Sequence, residues 1–181
     1  MKSPYAGFVG QVWEEFPQLS EWHNLDNNKL PLWKLDKFID AGYHNFVAER
    51  KPLYHLSKLV EQYAQENNQP LLATFEKIAR YKFVENRYQD MIKEIPKIWI
   101  VADFGKVGIK TPLNIELLNC RDTNLVNVWS VITRGPYGPF GLIAEEFDNG
   151  KFRGFFTLNP NVTRHVLDVM GKTLGTKFTI Q

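Results

Sequence analysis

The side chains best suited to chemistry in this 181-residue sequence are carboxylates in or just after predicted strands. Asp103 lies at the C-terminal end of an apolar segment, where open α/β sheets place their ligands. Glu145 and Glu146 are neighbours in another predicted strand, so their side chains point to opposite faces and one of them is covered. A covered carboxylate needs a cationic partner, in either a ligand site or a structural pair. The candidate partners are Arg134, Arg153 and Arg164. Solvated surface charges explain the same carboxylates equally well.

Two tryptophans on predicted strands, Trp99 and Trp129, are candidates for the wall of a pocket. Core packing is the ordinary role of a strand tryptophan, and lining a ligand site is the alternative. The predicted ligand-binding set is Trp99, Asp103, Trp129, Glu145 and Arg164.

The sequence lacks the motifs that are typical of nucleophilic catalysis, metal binding and phosphate binding. Cys120 is followed by Arg121, which could lower a thiol pKa, but no base is tied to it by a known spacing. The four histidines form neither H-x-x-x-H nor a set with C-x-x-C. Residues 105–111 carry glycines and lysines after a strand, yet they lack both phosphate-binding patterns. We therefore predict no catalytic residue, no metal and no cofactor.

The composition restricts the class of protein. Apolar residues make up 44% and charged residues 23%, as in ordinary globular domains, and the formal net charge is +2 with no basic run. Nucleic acid is therefore not the expected partner. The single cysteine fits a reducing compartment, and no apolar window is long enough to span a membrane. We expect a cytoplasmic protein.

The elements that must position these side chains follow from periodicity and turn residues. Apolar residues recur at helical spacing over 53–63 and 78–95, and apolar runs at 71–75 and 97–104 predict strands, so 71–104 forms a parallel βαβ unit. A further strand is predicted over 114–119. Asn149-Gly150 predicts a tight hairpin within a three-strand antiparallel meander over 127–158. Asn159-Pro160 starts a last helix that ends at Gly175. The predicted fold class is α/β (α+β), a mixed sheet with packed helices.

Residues 1–49 differ from the rest and are predicted to be an aromatic-rich helical extension, with helices near 6–16 and 31–41, ahead of an α/β domain over 50–181. Two interpretations stay open. The aromatic side chains either cover the adjoining domain or anchor a protein partner. The candidate anchors are Trp13, Phe16, Trp22 and Trp33.

The order of segments resembles the DICT sensory domain, a module of diguanylate cyclases and two-component systems. The resemblance rests on Leu56-Ser57 with Glu61, on Phe75 and Phe83, on Arg87-Tyr88, on the strand 142–145 (LIAE) and on 154–160 (GFFTLNP). It covers residues 50–175. It implies sensing or signal relay in bacteria, with a link to light responses, and it supplies no catalytic residues. Relatives carry an attached output domain, so a copy without one is expected to act by contact with another protein.

Three hypotheses follow. The first is a non-catalytic sensory or regulatory protein that acts through a protein partner, with or without a small ligand, and the homo-oligomeric state is left open. The second is an assembly factor of a larger complex. The third is a small enzyme that uses Asp103, Glu145 and His165, and it requires those groups to converge within hydrogen-bond reach of one substrate.

Overall fold

A computed structural model describes residues 7–20, 30–41, 44–106 and 108–180. The helices are α1 (Gly7–Glu15), α2 (Leu35–Ala41), α3 (Arg50–Glu66), α4 (Ile78–Met91) and α5 (Pro160–Leu174). The strands are β1 (His44–Glu49), β2 (Leu71–Lys77), β3 (Ile98–Asp103), β4 (Ile115–Asn119), β5 (Val128–Gly135), β6 (Gly138–Asp148) and β7 (Lys151–Thr157). Single 3₁₀ turns lie at Pro17–Ser20, Leu30–Leu32 and Asn124–Asn127.

The seven strands form one mixed sheet in the order β1-β7-β6-β5-β2-β3-β4. β2, β3 and β4 are parallel neighbours, whereas β2 pairs antiparallel with β5, and β5, β6, β7 and β1 continue antiparallel. The predicted α/β class, the βαβ unit and the meander are therefore confirmed. Gly150 adopts a φ of +72°, as the tight turn between β6 and β7 requires.

Helices cover both faces of the sheet. Successive strand residues alternate between the faces, so Leu71, Ala73 and Ile100 belong to one core cluster and Leu72 and Trp99 to the other. The first cluster is closed by α2, α3 and α4, and the second by α1 and α5. The two faces are called the α3 face and the α5 face below. Within the described ranges, no helix combines the length and apolarity needed to cross a bilayer.

The segment predicted as a helical extension contains α1 and α2, and also a strand that was not predicted. β1 is an edge strand paired with β7, and its Phe46 and Ala48 are buried on the α3 face. Phe8 and Trp13 of α1 are buried on the α5 face, and Phe38 of α2 on the α3 face. Burial of these large apolar surfaces against the sheet explains the aromatic content of the segment. Two smaller differences are that β2 extends to Lys77 and that α4 ends at Met91, not at Ile95.

Candidate functional site

A cleft of about 640 Å³ opens on the α3 face between α3, α4 and strands β2 and β5. Two helices form its walls, and each helix contributes residues three, four or seven positions apart, which lie on one side of a helix. α3 contributes Arg50, Lys51, Tyr54, Ser57 and Glu61, and α4 contributes Ala79, Arg80, Phe83, Val84 and Arg87. The floor consists of Phe75, Glu76 and Lys77 from β2 with Trp129 and Val131 from β5.

An ion pair joins the two helical walls deep in the cleft. Arg87 contacts Glu61 at 2.9 Å, and it also donates a hydrogen bond of 3.0 Å to the Tyr54 hydroxyl. The Tyr88 hydroxyl donates a second hydrogen bond of 2.9 Å to Glu61. Burial raises the pKa of Glu61 to about 7, because the loss of hydration outweighs the opposing effects of Arg87, Tyr88 and Lys58. Glu61 therefore changes charge near neutral pH.

A second network joins the floor to the start of α3. Arg50 contacts Glu76 at 3.2 Å and Glu146 at 2.9 Å, and its guanidinium lies 4.7 Å from the centre of the Phe152 ring. Burial, followed by a hydrogen bond with Glu146, raises the pKa of Glu76 to about 7. Burial would also raise the pKa of Glu146, but the hydrogen bond from Glu76, the Gly150 N–H and Arg50 lower it. As the pH falls, Glu76 therefore takes up a proton before Glu146 does.

Glu76 also occupies a strained backbone position. Its φ is +63°, and the β2–β3 register shifts between Thr74 and Lys77, which makes this end of β2 a bulge. A residue other than glycine that adopts the left-handed backbone conformation costs about 1–3 kcal/mol of folding free energy. It persists only where the surrounding structure enforces it. The bulge turns the carboxylate of Glu76 toward Arg50 and the cleft.

Polar groups in the inner wall lack partners. The Ser57 hydroxyl is buried, with the residue 2% exposed, and it has no hydrogen-bond partner among the described residues. The same holds for the Nε–H of Arg87. Buried polar groups are normally satisfied, so the cleft has unused hydrogen-bonding capacity at its inner end.

The structure brings one of the five predicted ligand-binding residues to this cleft, namely Trp129. Trp99 is 4% exposed on the α5 face, where its ring packs at 5.7 Å from that of Phe178. Asp103 accepts a hydrogen bond of 3.0 Å from the Gly105 N–H, and the Arg164 guanidinium lies beside Gly138 at the β5–β6 turn.

Glu145 lies beneath α1 on the α5 face. It accepts a hydrogen bond of 2.7 Å from the Phe8 N–H and lies 3.5 Å from Arg153, one of the three partners considered for it. Burial raises its pKa, and the Phe8 N–H and Arg153 oppose the shift. Glu145 and Glu146 point to opposite faces, as the alternation of a strand predicts.

The three groups of the enzyme hypothesis lie on separate elements. Asp103 is on β3 and Glu145 on β6, with β2 and β5 between them, so three strand spacings separate the two positions by about 14 Å. His165 of α5 packs against the ring of Phe16 at 5.5 Å.

Cys120 is fully buried, and burial raises the pKa of its thiol to about 11. That thiol is not activated at neutral pH.

Three of the four candidate partner anchors pack against the rest of the protein. Trp13 is 4% exposed and packs on the α5 face of the sheet, with Arg153 at 5.7 Å from its ring centre. Phe16 is half-buried against His165, and Trp33 is half-buried at 5.1 Å from the Phe38 ring. These three side chains cover the sheet, as the first interpretation proposed. Trp22 lies outside the described residues.

The charged groups of the cleft were not singled out from the sequence as site residues, yet a signal for them was present. Five of the residues on which the resemblance rests, Ser57, Glu61, Phe75, Phe83 and Arg87, line the cleft. Tyr88, the next residue of that pattern, hydrogen-bonds Glu61. Among the described residues, no group of three His, Cys, Asp or Glu side chains is placed to hold a metal ion.

Comparison with known proteins gives no family. The sequence matches no family model and has no significant match among curated proteins. One solved structure is similar in shape, the crystal structure of polyphosphate kinase from Porphyromonas gingivalis, at a TM-score of 0.49 and 13% identity. The similarity covers 92% of this chain and 26% of the kinase, so this chain spans about a quarter of that protein. At this level the likeness carries no argument about function.

Proposed function

We propose that this chain is a non-catalytic sensory or regulatory module that binds a small molecule in the α3–α4 cleft and acts through contact with a protein partner. The observation that carries the proposal is the cleft itself, with the unpartnered hydroxyl of Ser57 on its inner wall. Protein interiors are otherwise close-packed, and about 300–1,000 Å³ is the usual size of a small-molecule site.

The resemblance to the DICT sensory domain supports the same role. Part of its pattern lies on α3, β2 and α4, and there Ser57, Glu61, Phe75, Phe83 and Arg87 meet around one cleft although Ser57 and Arg87 are 30 positions apart in the sequence. Bacterial signal transduction, a link to light responses and a cytoplasmic location belong to this proposal as well.

The surroundings of the cleft offer a way to relay binding. A ligand transmits a signal only if it favours one of two arrangements of the protein. Arg50 ties α3 to β2 through Glu76 and to β6 through Glu146, and the strained backbone of Glu76 lies within that network. A ligand that displaces Arg50 would relax β2 and change how α3 sits on the sheet. A partner that contacts α3 or β1 would detect that change.

Ligand-detected NMR with a library of small aromatic fragments tests the binding role. We expect fragments to bind the wild-type protein and to lose binding in Ser57→Leu, because the larger side chain fills the inner end of the cleft. The matched control is Gln62→Leu, an exposed position of α3 outside the cleft. If no fragment binds the wild-type protein, or if fragments bind the wild type and Ser57→Leu equally well, the ligand-binding role is refuted.

Acid–base catalysis in the same cleft is the second candidate, favoured by the pKa values of about 7 for Glu61 and Glu76. The same NMR samples distinguish the two candidates over time. A bound fragment that is recovered unchanged supports a sensor, and one that is converted by the wild type but not by Glu76→Gln supports an enzyme.

A further inference from the structure

The charge of the cleft indicates which molecules it would accept, if it is the ligand site proposed above. We propose that the ligand is an amphipathic organic anion, with a flat aromatic body that lies inside the cleft and one carboxylate or phosphate group at its mouth against Arg80.

The cleft carries an excess of positive charge. Its lining includes five cationic side chains, Arg50, Lys51, Lys77, Arg80 and Arg87, but only two carboxylates, Glu61 and Glu76. The formal charge of the whole chain is only +2, so this excess is concentrated in one place. Clefts of one sign raise the local concentration of molecules of the opposite sign.

The cationic side chains at the mouth of the cleft are the ones available to bind a ligand. Arg50 and Arg87 are already engaged by Glu76, Glu146 and Glu61. Lys51, Lys77 and Arg80 are exposed and form no salt bridge with any described residue. Arg80 acts on Glu146 only as a more distant charge. Its planar guanidinium matches a carboxylate or phosphate through two parallel hydrogen bonds.

The rest of the lining favours a ring. Tyr54, Phe75, Phe83 and Trp129 present aromatic surfaces to the cleft, and Val84 and Val131 add aliphatic surface between them. Phe83 is 81% exposed although it is a large apolar side chain, and it lies three positions from Arg80 on the same helix. An aromatic ligand held by Arg80 would cover Phe83 and remove that apolar surface from water.

The inner end of the cleft fits a second, weaker polar contact. The Ser57 hydroxyl and the Arg87 Nε–H lack partners, and both can donate a hydrogen bond to an oxygen or ring nitrogen of the ligand. The expected ligand is therefore polar at both ends and apolar between them, with the full negative charge at the outer end.

Isothermal titration of three probes that share one ring system tests this inference. The probes are naphthoate, neutral naphthamide and naphthylmethylammonium. We expect naphthoate to bind about tenfold more tightly than the amide, and the ammonium to bind more weakly than the amide. Arg80→Gln should abolish the preference for the anion, and Arg80→Lys should keep part of it. Lys82→Gln is the matched control, because it removes the same charge from an exposed position of α4 outside the cleft.

The outcomes separate this inference from the proposed function. If the three probes bind equally well and Ser57→Leu abolishes binding, the cleft is a ligand site but the anionic class is wrong. If naphthoate does not bind, or if Lys82→Gln weakens it as much as Arg80→Gln does, the inference is overturned. The fragment screen decides the proposed function independently.

Discussion

The carboxylate of Glu145 accepts a hydrogen bond of 2.7 Å from the backbone N–H of Phe8, which lies 137 residues earlier in the chain. A carboxylate at the first turn of a helix satisfies an orphan N–H and complements the helix dipole. Gly7 makes this contact possible, because its φ is +85° and a Cβ there would collide with the Glu145 carboxylate. This pair of residues holds α1 on the α5 face of the sheet.

Glu145→Ala should therefore loosen α1. We expect the free energy of unfolding to fall by about 2 kcal/mol, the cost of a buried N–H that loses a charged acceptor. Urea denaturation measures that loss, and hydrogen exchange should show faster exchange in residues 8–15. Glu14→Ala, at an exposed position of α1, is the control and should change stability by less than about 0.5 kcal/mol. Equal effects of the two substitutions would contradict the anchoring role.

Ser57→Ala should stabilise the protein. The substitution removes a buried hydroxyl that has no partner and places a better helix former in α3. We expect a gain of about 1 kcal/mol and a rise in melting temperature of about 2–4 °C. Scanning calorimetry measures both. A loss of stability would mean that the hydroxyl is satisfied in solution and that the inner end of the cleft has no unused hydrogen-bonding capacity.

Glu61 should make stability depend on pH between about 4.5 and 7. Its folded-state pKa of about 7 lies above the ordinary value of 4.5, so the folded protein holds a proton that the unfolded chain releases. The stabilisation is fully present below pH 4.5 and is lost as the pH rises through 7. Arg87, Tyr88 and Lys58 face this carboxylate and lower its pKa, but they do not cancel the rise caused by burial. Tyr54 accepts a hydrogen bond from Arg87.

The test compares the pH dependence of urea denaturation in the wild type and in Glu61→Gln, whose amide imitates the protonated acid. We expect the substitution to remove on the order of 1–3 kcal/mol of the decrease in stability between pH 5 and 8. Glu76 and Glu145, whose pKa values are also raised, contribute a decrease of the same sign, whereas the lowered pKa of Glu146 affects stability only below about pH 4.5. Only the difference between the two proteins is therefore diagnostic of Glu61. Glu66→Gln, an exposed position of α3, should leave the wild-type profile unchanged.

Arg50 and Glu76 should be energetically coupled. Arg50→Gln leaves the carboxyl of Glu76, on a residue only 5% exposed, without its cation, and we expect a loss of about 3 kcal/mol. Adding Glu76→Gln should recover part of that loss. A double-mutant cycle measures the coupling, expected at about 1–3 kcal/mol. Strictly additive losses would show that the contact between Arg50 and Glu76 does not stabilise the fold.

The sequence predicted the parts of the fold that depend on neighbours in the chain. Asn149-Gly150 can adopt the backbone angles of a tight turn, and the β6–β7 hairpin forms there. Pro160 after Asn159 begins α5, and Gly175 ends it with a φ of +67°. The spacing of apolar runs over 71–104 predicted the parallel crossover, which the β2–β3 pairing confirms. β1 was missed because its pairing with β7 joins segments more than a hundred residues apart.

The cleft was decided by tertiary structure. Helical periodicity places Ser57 and Glu61 on one side of α3 and Arg87 on one side of α4, but it does not say which sides face each other. Likewise, strand alternation predicts that Glu145 and Glu146 separate, but not that one meets α1 and the other Arg50. Local backbone preferences are short-range and can be inferred from adjacent residues. Which buried charges become neighbours depends on how all the layers pack at once.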